Sequence, residues 1–362
     1  MTDTLAGDLT AQPDALETLS AGNFERIPKW LNLFPMVAQW LWLGLQYGSL
    51  TLPSSVNPKI TTGGMVGDGK LEYFNAMGAI ARAATADFIA VTTEADPSSH
   101  RAGIQVAELG FPVVAKPDLG WCGYGVRLLA DWQEFEAYFN TYPPNETFLL
   151  QRYIPDEGEA GLFYVREPGA AKGRLIGVLL RQFPKVSGDG VRSVRELIAA
   201  DIRLHRLIGT ALHECRFDDA YIPARDESVR LALIGSTRVG GAYLDGTRFM
   251  TQQLSDRVDA IARDMGPFHV GRFDVRFDTL DSLGAGDFTI MEVNGAGSEA
   301  VHAWDPKYTI RDVYRIVFAK QRLLFSIGDA CRKAGHRPCG IAELARHFFR
   351  QQGLMGRYPR SN

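Results

Sequence analysis

Polar and apolar residues alternate in two short segments of the C-terminal third, Gly271-Arg272-Phe273-Asp274-Val275-Arg276-Phe277 and Phe288-Thr289-Ile290-Met291-Glu292-Val293-Asn294. A period of two is the pattern of a half-buried strand, so each segment predicts one. Arg272, Asp274 and Arg276 then share one face of the first strand, and Glu292 and Asn294 one face of the second. Ser282, Gly284 and Gly286 lie between them and suit a hairpin connection. With the turn near Leu283, Asp274 stands opposite Glu292 and Arg272 opposite Asn294. Upstream, residues 111–117 read as a buried strand ending in Lys116 and Pro117, residues 148–154 as another, and residues 175–183 as a third that carries Arg181. Helices are predicted over 99–109, where Gly110 and Pro112 stop the pattern, and over 131–139. A capping box at Ser193-Val194-Arg195-Glu196 opens a further helix to about residue 208, and Thr309 caps a long C-terminal one in the same way.

One segment breaks the amphipathic rule. Residues 30–45 are almost wholly apolar and include Trp30, Trp40 and Trp42, while Asn32, Gln39 and Gln46 recur every seven residues on one narrow helical stripe. At ~1.5 Å per residue this run reaches roughly 24 Å, short of the ~30 Å hydrocarbon core of a bilayer. Pro35 also argues against a span. The pattern predicts a core helix, with a helix lying on a membrane surface as the alternative.

Composition narrows the class. The chain has 362 residues, 46% hydrophobic and 22% charged, enough to bury a full core over two or three domains. A net charge of −3 gives no reason to expect nucleic acid as a partner. From Ile310 onward, however, eleven Lys or Arg face only Asp312, Asp329 and Glu343. The cysteines, Cys122, Cys215, Cys331 and Cys339, are scattered without a Cys-x-x-Cys pair, which predicts a reducing compartment and no structural zinc. The first 25 residues hold Asp3, Asp8, Asp14 and Glu17 but no Lys or Arg, unlike a signal peptide, and read as a mobile tail. A cytoplasmic protein is expected, with a weak peripheral contact at the inner face of the membrane if 30–45 and the basic C-terminal helices share a surface. The pattern is also compatible with an oligomer.

The candidate chemistry sits on the predicted strands. Asp274, Glu292 and Asn294 converge as hard oxygen donors suited to Mg²⁺, and the neighbouring arginines suit bidentate binding of phosphate or carboxylate. Lys116 runs into Asp118-Leu119-Gly120-Trp121-Cys122-Gly123-Tyr124-Gly125. Gly120, Gly123 and Gly125 allow the backbone to wrap N–H groups around phosphate oxygens, and Lys116 adds a point charge. This is not a Walker motif, because the lysine precedes the glycines.

Three stretches together resemble the ATP-grasp superfamily, on its D-alanine–D-alanine ligase and cyanophycin-synthetase side. They are Val114-Ala115-Lys116-Pro117 with the glycine loop, the run from Lys185-Val186-Ser187-Gly188 to Ile198, and Gly271-Arg272-Phe273-Asp274 with Glu292-Val293-Asn294. The resemblance spans roughly 105–305. It implies an α/β (α+β) ATP-grasp fold, with a pre-ATP-grasp-like α/β region over 26–104, an ATP-grasp domain over 105–308 and basic C-terminal helices over 309–362. It implies ATP and Mg²⁺, with Mn²⁺ as a substitute, and small-molecule carboxylate and amine substrates. Gln151, Tyr153 and Ile154 fall at the adenine hinge, with Gln151 where the family often has Glu. Glu159 falls near the family's ribose-binding carboxylate, about one residue out of step. Arg181 or Lys185 matches a cation at the triphosphate, and Arg238 lies in a Gly-rich stretch like the substrate-side loop of cyanophycin-type ligases. After Asn294 the D-alanine ligases carry a Pro-Gly turn that supplies an oxyanion N–H; here Gly295-Ala296-Gly297 lacks the proline and leaves Gly297 as the donor.

The implied reaction is an ATP-dependent ligation through an acyl phosphate, with Arg272 stabilising the tetrahedral intermediate. Two alternatives use the same nucleotide site. One is a phosphotransferase acting on a hydroxyl, and the other a nucleotide-binding module without turnover.

Overall fold

The alternating segment around Asp274 forms an inner strand of the main sheet, because its apolar half has a core to enter. In the computed structural model, which describes residues 28–94, 96–100, 109–201, 204, 218–232, 235 and 237–361, β10 (Val270–Phe277) buries Phe273, Val275 and Phe277. The tail proposed over 1–25 lies outside the described residues, as does most of the helix expected over 99–109, of which only a 3-10 turn at Pro97–His100 is described.

The strands form two main antiparallel sheets. The first joins β1 (Phe88–Thr92), β2 (Val113–Pro117), β3 (Arg127–Leu129) and β4 (Thr147–Arg152) in the order β1-β4-β2-β3. It therefore crosses the boundary that the sequence suggested near 104. The helix α4 (Trp132–Thr141) is capped by Asp131, which accepts from Glu134 N, and buries Phe135 and Tyr138 against Phe148 and Leu150. The opposite face of β4 carries Leu149 and Gln151, and that of β2 carries Val114 and Lys116. Period-two geometry thus turns Lys116 and Gln151 away from α4, towards the second sheet.

The second sheet runs β11-β10-β5-β6-β9, with β5 (Gly158–Val165), β6 (Arg174–Gln182), β9 (Ala242–Asp245) and β11 (Thr289–Asn294). A separate two-stranded ribbon pairs β7 (Lys185–Ser187) with β8 (Ser228–Arg230). Under the main sheet lies α6 (Gln252–Asp264), which contributes Leu254, Val258 and Ile261 to the core shared with Phe273 and Val275. Between β10 and β11 the chain does not make the simple hairpin turn expected from its glycines. It inserts a short helix, α7 (Leu280–Gly284), capped by Thr279. The two sheets meet where segment 84–86 runs along β11: Ile290 N donates to Ala84 O at 2.7 Å and Ala86 N to Ile290 O at 3.0 Å.

The rest of the N-terminal region is pinned to this sheet. Asn57 is fully buried and uses its whole amide, donating to Gly63 O and Val270 O and accepting from His269 N and Val270 N. Short helices α2 (Lys70–Asn75) and α3 (Ala79–Ala83) follow. The capping box at Ser193 opens α5 (Val194–Ala200); the residues expected to prolong it fall largely outside the described set.

The apolar segment forms α1 (Lys29–Tyr47), running through Pro35. One face packs on α8 (Ile310–Lys333), whose N-cap Thr309 forms the expected box with Asp312. The core-helix expectation is only half met, because the other face of α1 is open to solvent. The last helix is α9 (Ile341–Met355). No helix among the described residues is long and apolar enough to cross a membrane.

Candidate functional site

The β10–β11 register brings the sequence-predicted residues together in the expected pairs. Asp274 lies opposite Glu292, and Arg272 opposite Asn294. The register then slips, so that Val275 faces Ile290 and Met291 bulges out. The bulge takes the Met291 carbonyl out of the ladder, and Lys116 Nζ donates to it at 3.3 Å. The same ammonium donates to Gln151 Oε1 at 2.6 Å. Burial pulls the Lys116 pKa down to about 8, with the Glu292 carboxylate opposing that fall.

Lys70 is the residue that sequence reasoning missed. It is buried at the start of α2, with Nζ 3.2 Å from Glu292 Oε1. Its backbone N donates to Asp118 O, and Leu71 N to Asp118 Oδ1 at 2.8 Å, which docks this turn on the glycine loop. A Cβ at Gly120 would lie 2.6 Å from Lys70 Nζ, so the glycine makes room for the ammonium. The one available signal was a lysine directly after Gly67-Asp68-Gly69. Burial works against the Glu292 carboxylate, but Lys70, with Lys116 and Arg272 behind it, holds its pKa below the ordinary range.

A charged ladder crosses the same face of the second sheet. Arg276 pairs with Glu159 Oε2 at 3.2 Å, Glu159 Oε1 with Arg181 at 2.6 Å, and Arg181 with Asp274 Oδ2 at 3.1 Å. Arg272 then grips Asp274 in bidentate fashion, at 2.6 and 2.8 Å. Gly161 opposite Asp274 leaves space for this pair, since a Cβ there would lie 2.9 Å from Arg272 Cδ. Burial opposes ionisation of Asp274, yet Arg181 and Arg272 keep its pKa low. Glu159 corrects the sequence reading. Both its oxygens are engaged by buried arginines, so it acts as a strut of the ladder and is not free for a ribose.

The donor set can be weighed against the chemistry of a hard cation. Among the described residues no three His, Cys, Asp or Glu gather as a metal-holding group. Asn294 Nδ2 donates to Asp274 Oδ2 at 3.1 Å, an oxygen already shared by both arginines. Glu292 Oε2 and Asn294 Oδ1 accept no hydrogen bond among the described residues. Two of the three donors therefore fit a hard cation directly, and Asp274 fits one by exchanging an arginine contact.

The glycine loop is held from an unexpected side. Gln351 of α9 donates to Gly120 O and accepts from Gly67 N, both at 3.2 Å, bridging two glycine loops. Tyr358 donates to Leu119 O at 2.8 Å and stacks on Tyr142, while Ser361 donates to Gly123 O at 2.7 Å. Gly123 and Gly125 both have φ near +75°, a left-handed backbone that suits glycine.

Other predicted residues stand apart. Tyr153 and Ile154 lie half-exposed just past the end of β4. Lys185 is exposed on the small β7–β8 ribbon. The Arg238 side chain lies outside what the structure describes. Gly297 is not a spare donor, because its N–H is given to Gly64 O at 2.7 Å.

No family model matches the chain, and no curated protein does. Among solved structures it is similar to a bifunctional glutathione synthetase from Pasteurella multocida, at 18% identity and TM-score 0.37, over 73% of this chain and 38% of that one. The chain thus spans well under half of that enzyme's length. It is also similar to a D-alanine–D-alanine ligase from Bacillus anthracis, at 15% identity and TM-score 0.41, over 74% of this chain and 68% of the other. A third is the VanG D-Ala:D-Ser ligase from Enterococcus faecalis, at 11% identity and TM-score 0.41, covering 74% and 64%.

Proposed function

We propose that this protein is an ATP-dependent carboxylate–amine ligase that forms an amide through an acyl phosphate and releases ADP and phosphate. The observation that carries this reading is a set of cations around one acidic hairpin: Lys70 and Lys116 at Glu292, Arg272 and Arg181 at Asp274. A triphosphate needs that density of buried positive charge, and phosphoryl transfer depends almost wholly on charge neutralisation and alignment.

In this reading Lys70, Lys116 and the loop of Gly120, Gly123 and Gly125 hold the phosphates. Gln151, Tyr153 and Ile154 would hold the adenine. Asp274, Glu292 and Asn294 would hold Mg²⁺ or Mn²⁺, which supplies charge neutralisation at the phosphates. A substrate carboxylate oxygen attacks the γ-phosphorus and the bond to ADP breaks. The amine then attacks the acyl carbon, loses its proton, and phosphate leaves. Arg272 stabilises the developing oxyanion, with Arg181 and Arg238 as further cations on the substrate side.

The test is simultaneous measurement of ADP and free phosphate from the full chain, ATP, Mg²⁺ and a panel of amino acids and small carboxylates. Equal yields that vanish in Asp274→Asn are expected. ADP without free phosphate would mean that the acceptor keeps the phosphoryl group, as in a phosphotransferase. Absence of nucleotide binding would remove both readings.

A further inference from the structure

Helix α1 is inside-out with respect to its sequence. Two of its three striped amides turn inward and Gln46 stays exposed: Asn32 is buried, and Gln39 Nε2 donates to Phe318 O of α8 at 2.9 Å. Trp40 packs edge-on against Phe325, and Tyr314 and Arg332 of α8 donate to the carbonyls of Asn32 and Tyr47. Met36, Trp40 and Leu43 pack inward with these amides, while the apolar residues of the opposite face meet water. Phe34 is 73% exposed, Trp42 67% and Leu45 79%, with Leu31, Val37 and Leu41 beside them. Their spacing of three and four makes one continuous stripe. Single exposed apolar residues are ordinary, but a contiguous stripe marks a docking surface.

Its surroundings identify the occupant. From Trp30 to Pro58 the chain has no Asp, Glu, Lys, Arg or His, so this stretch lacks the charged rim by which protein interfaces are fitted. Just beyond α1, Ile341 and Phe349 of α9 are also exposed, and an apolar cavity of about 230 Å³ between Trp40, Leu50, Met65 and Leu344 links the two helices. The positive charge lies alongside. Arg311, Arg315, Arg322 and Lys333 are exposed on α8, on turns adjoining the row of Tyr314, Phe318, Gln321 and Phe325 that meets α1. Arg315 also pairs with Asp312 at 3.2 Å and Lys333 with Asp329 at 2.7 Å, so Arg311 and Arg322 carry most of the charge. An apolar ridge flanked by a basic shoulder matches the interface of an anionic bilayer, with acyl chains for the ridge and phosphates for the shoulder.

We infer that α1 is a membrane-surface helix, by which this protein docks reversibly on anionic bilayers with α8 supplying the electrostatic contact. The helix lies in the interface and does not span it. The site cluster around Lys70 and Glu292 is not needed for this docking.

The experiment is co-sedimentation of the full chain with phosphatidylcholine vesicles, with and without a phosphatidylglycerol share, at low and high salt. Binding should require the anionic lipid and fall at least about tenfold at high salt. The double variant Phe34→Glu/Trp42→Glu should lose binding, and Arg311→Glu/Arg322→Glu should weaken it about tenfold or more. These side chains are exposed, so an unchanged melting temperature checks the fold. The inference is overturned if the wild-type chain stays in the supernatant, or if the apolar double variant still pellets. It is also overturned if sedimentation equilibrium finds a dimer that Trp42→Glu dissolves, because a second copy would then cover the stripe.

Discussion

Lys70 Nζ stands 3.2 Å from Glu292 Oε1, which joins the start of α2 to the last strand of the main sheet. The pair closes one side of the hairpin site, and Lys116 closes the other through the Met291 carbonyl. An ammonium so placed balances a buried carboxylate and, under the proposed function, would also meet a phosphate.

In the proposed function Lys70→Met removes a phosphate contact while roughly keeping the side-chain volume. One charge-assisted contact is worth about 1.5–3 kcal/mol, so the nucleotide dissociation constant should rise roughly 10- to 100-fold. Calorimetric titration with ATP measures it. An unchanged constant would detach Lys70 from the phosphate site.

Glu159 holds two arginines at once, and both lie on a buried sheet face. Glu159→Gln leaves Arg276 without its carboxylate and Arg181 with Asp274 alone, which costs about 3–5 kcal/mol for a buried pair broken on one side. Chemical denaturation should reveal a midpoint shift of that size. A loss below about 1 kcal/mol would mean that solvent reaches the ladder.

The C-terminal segment should control the order of the glycine loop. Gln351→Ala and Tyr358→Phe each delete one hydrogen bond to a loop carbonyl, at about 1 kcal/mol apiece. Hydrogen exchange over 119–125 should speed up roughly fivefold in each variant while the strands stay protected. Uniform exchange in wild type and variants would show that the loop is ordered by its own backbone.

His302 gives the protein a defined acid sensitivity. Burial lowers its pKa from 6.5 to about 4, with Lys320 and Lys307 acting in the same direction against Asp245. The folded state thus binds this proton less readily than the unfolded chain. Stability from this group is intact above the unfolded value and falls as pH drops from 6.5 towards about 4, by about 3 kcal/mol in all. Comparing melting temperatures of wild type and His302→Gln across that window isolates the contribution, since the carboxylates titrate in both. Parallel curves would refute it.

How much of this was legible in the sequence follows from range. The faces of β10 and β11 and their register were readable because alternation and a short connection constrain residues close in the chain, although α7 in place of a plain turn was not. The capping boxes at Ser193 and Thr309 are local in the same sense. The expected fold class came from the resemblance carried by three short stretches, not from these patterns. Lys70, the Glu159 ladder and the grip of Gln351 and Tyr358 on the glycine loop were not readable, since each joins segments remote in sequence and none has a periodic signature. The orientation of α1 is the clearest case. Its seven-residue amide spacing established that the segment has two distinct faces. Which face turns inward was decided only in three dimensions, because α8 offers a backbone carbonyl to the Gln39 amide and side-chain donors to the carbonyls of Asn32, Met36 and Tyr47, and nothing on the opposite side covers the apolar stripe among the described residues.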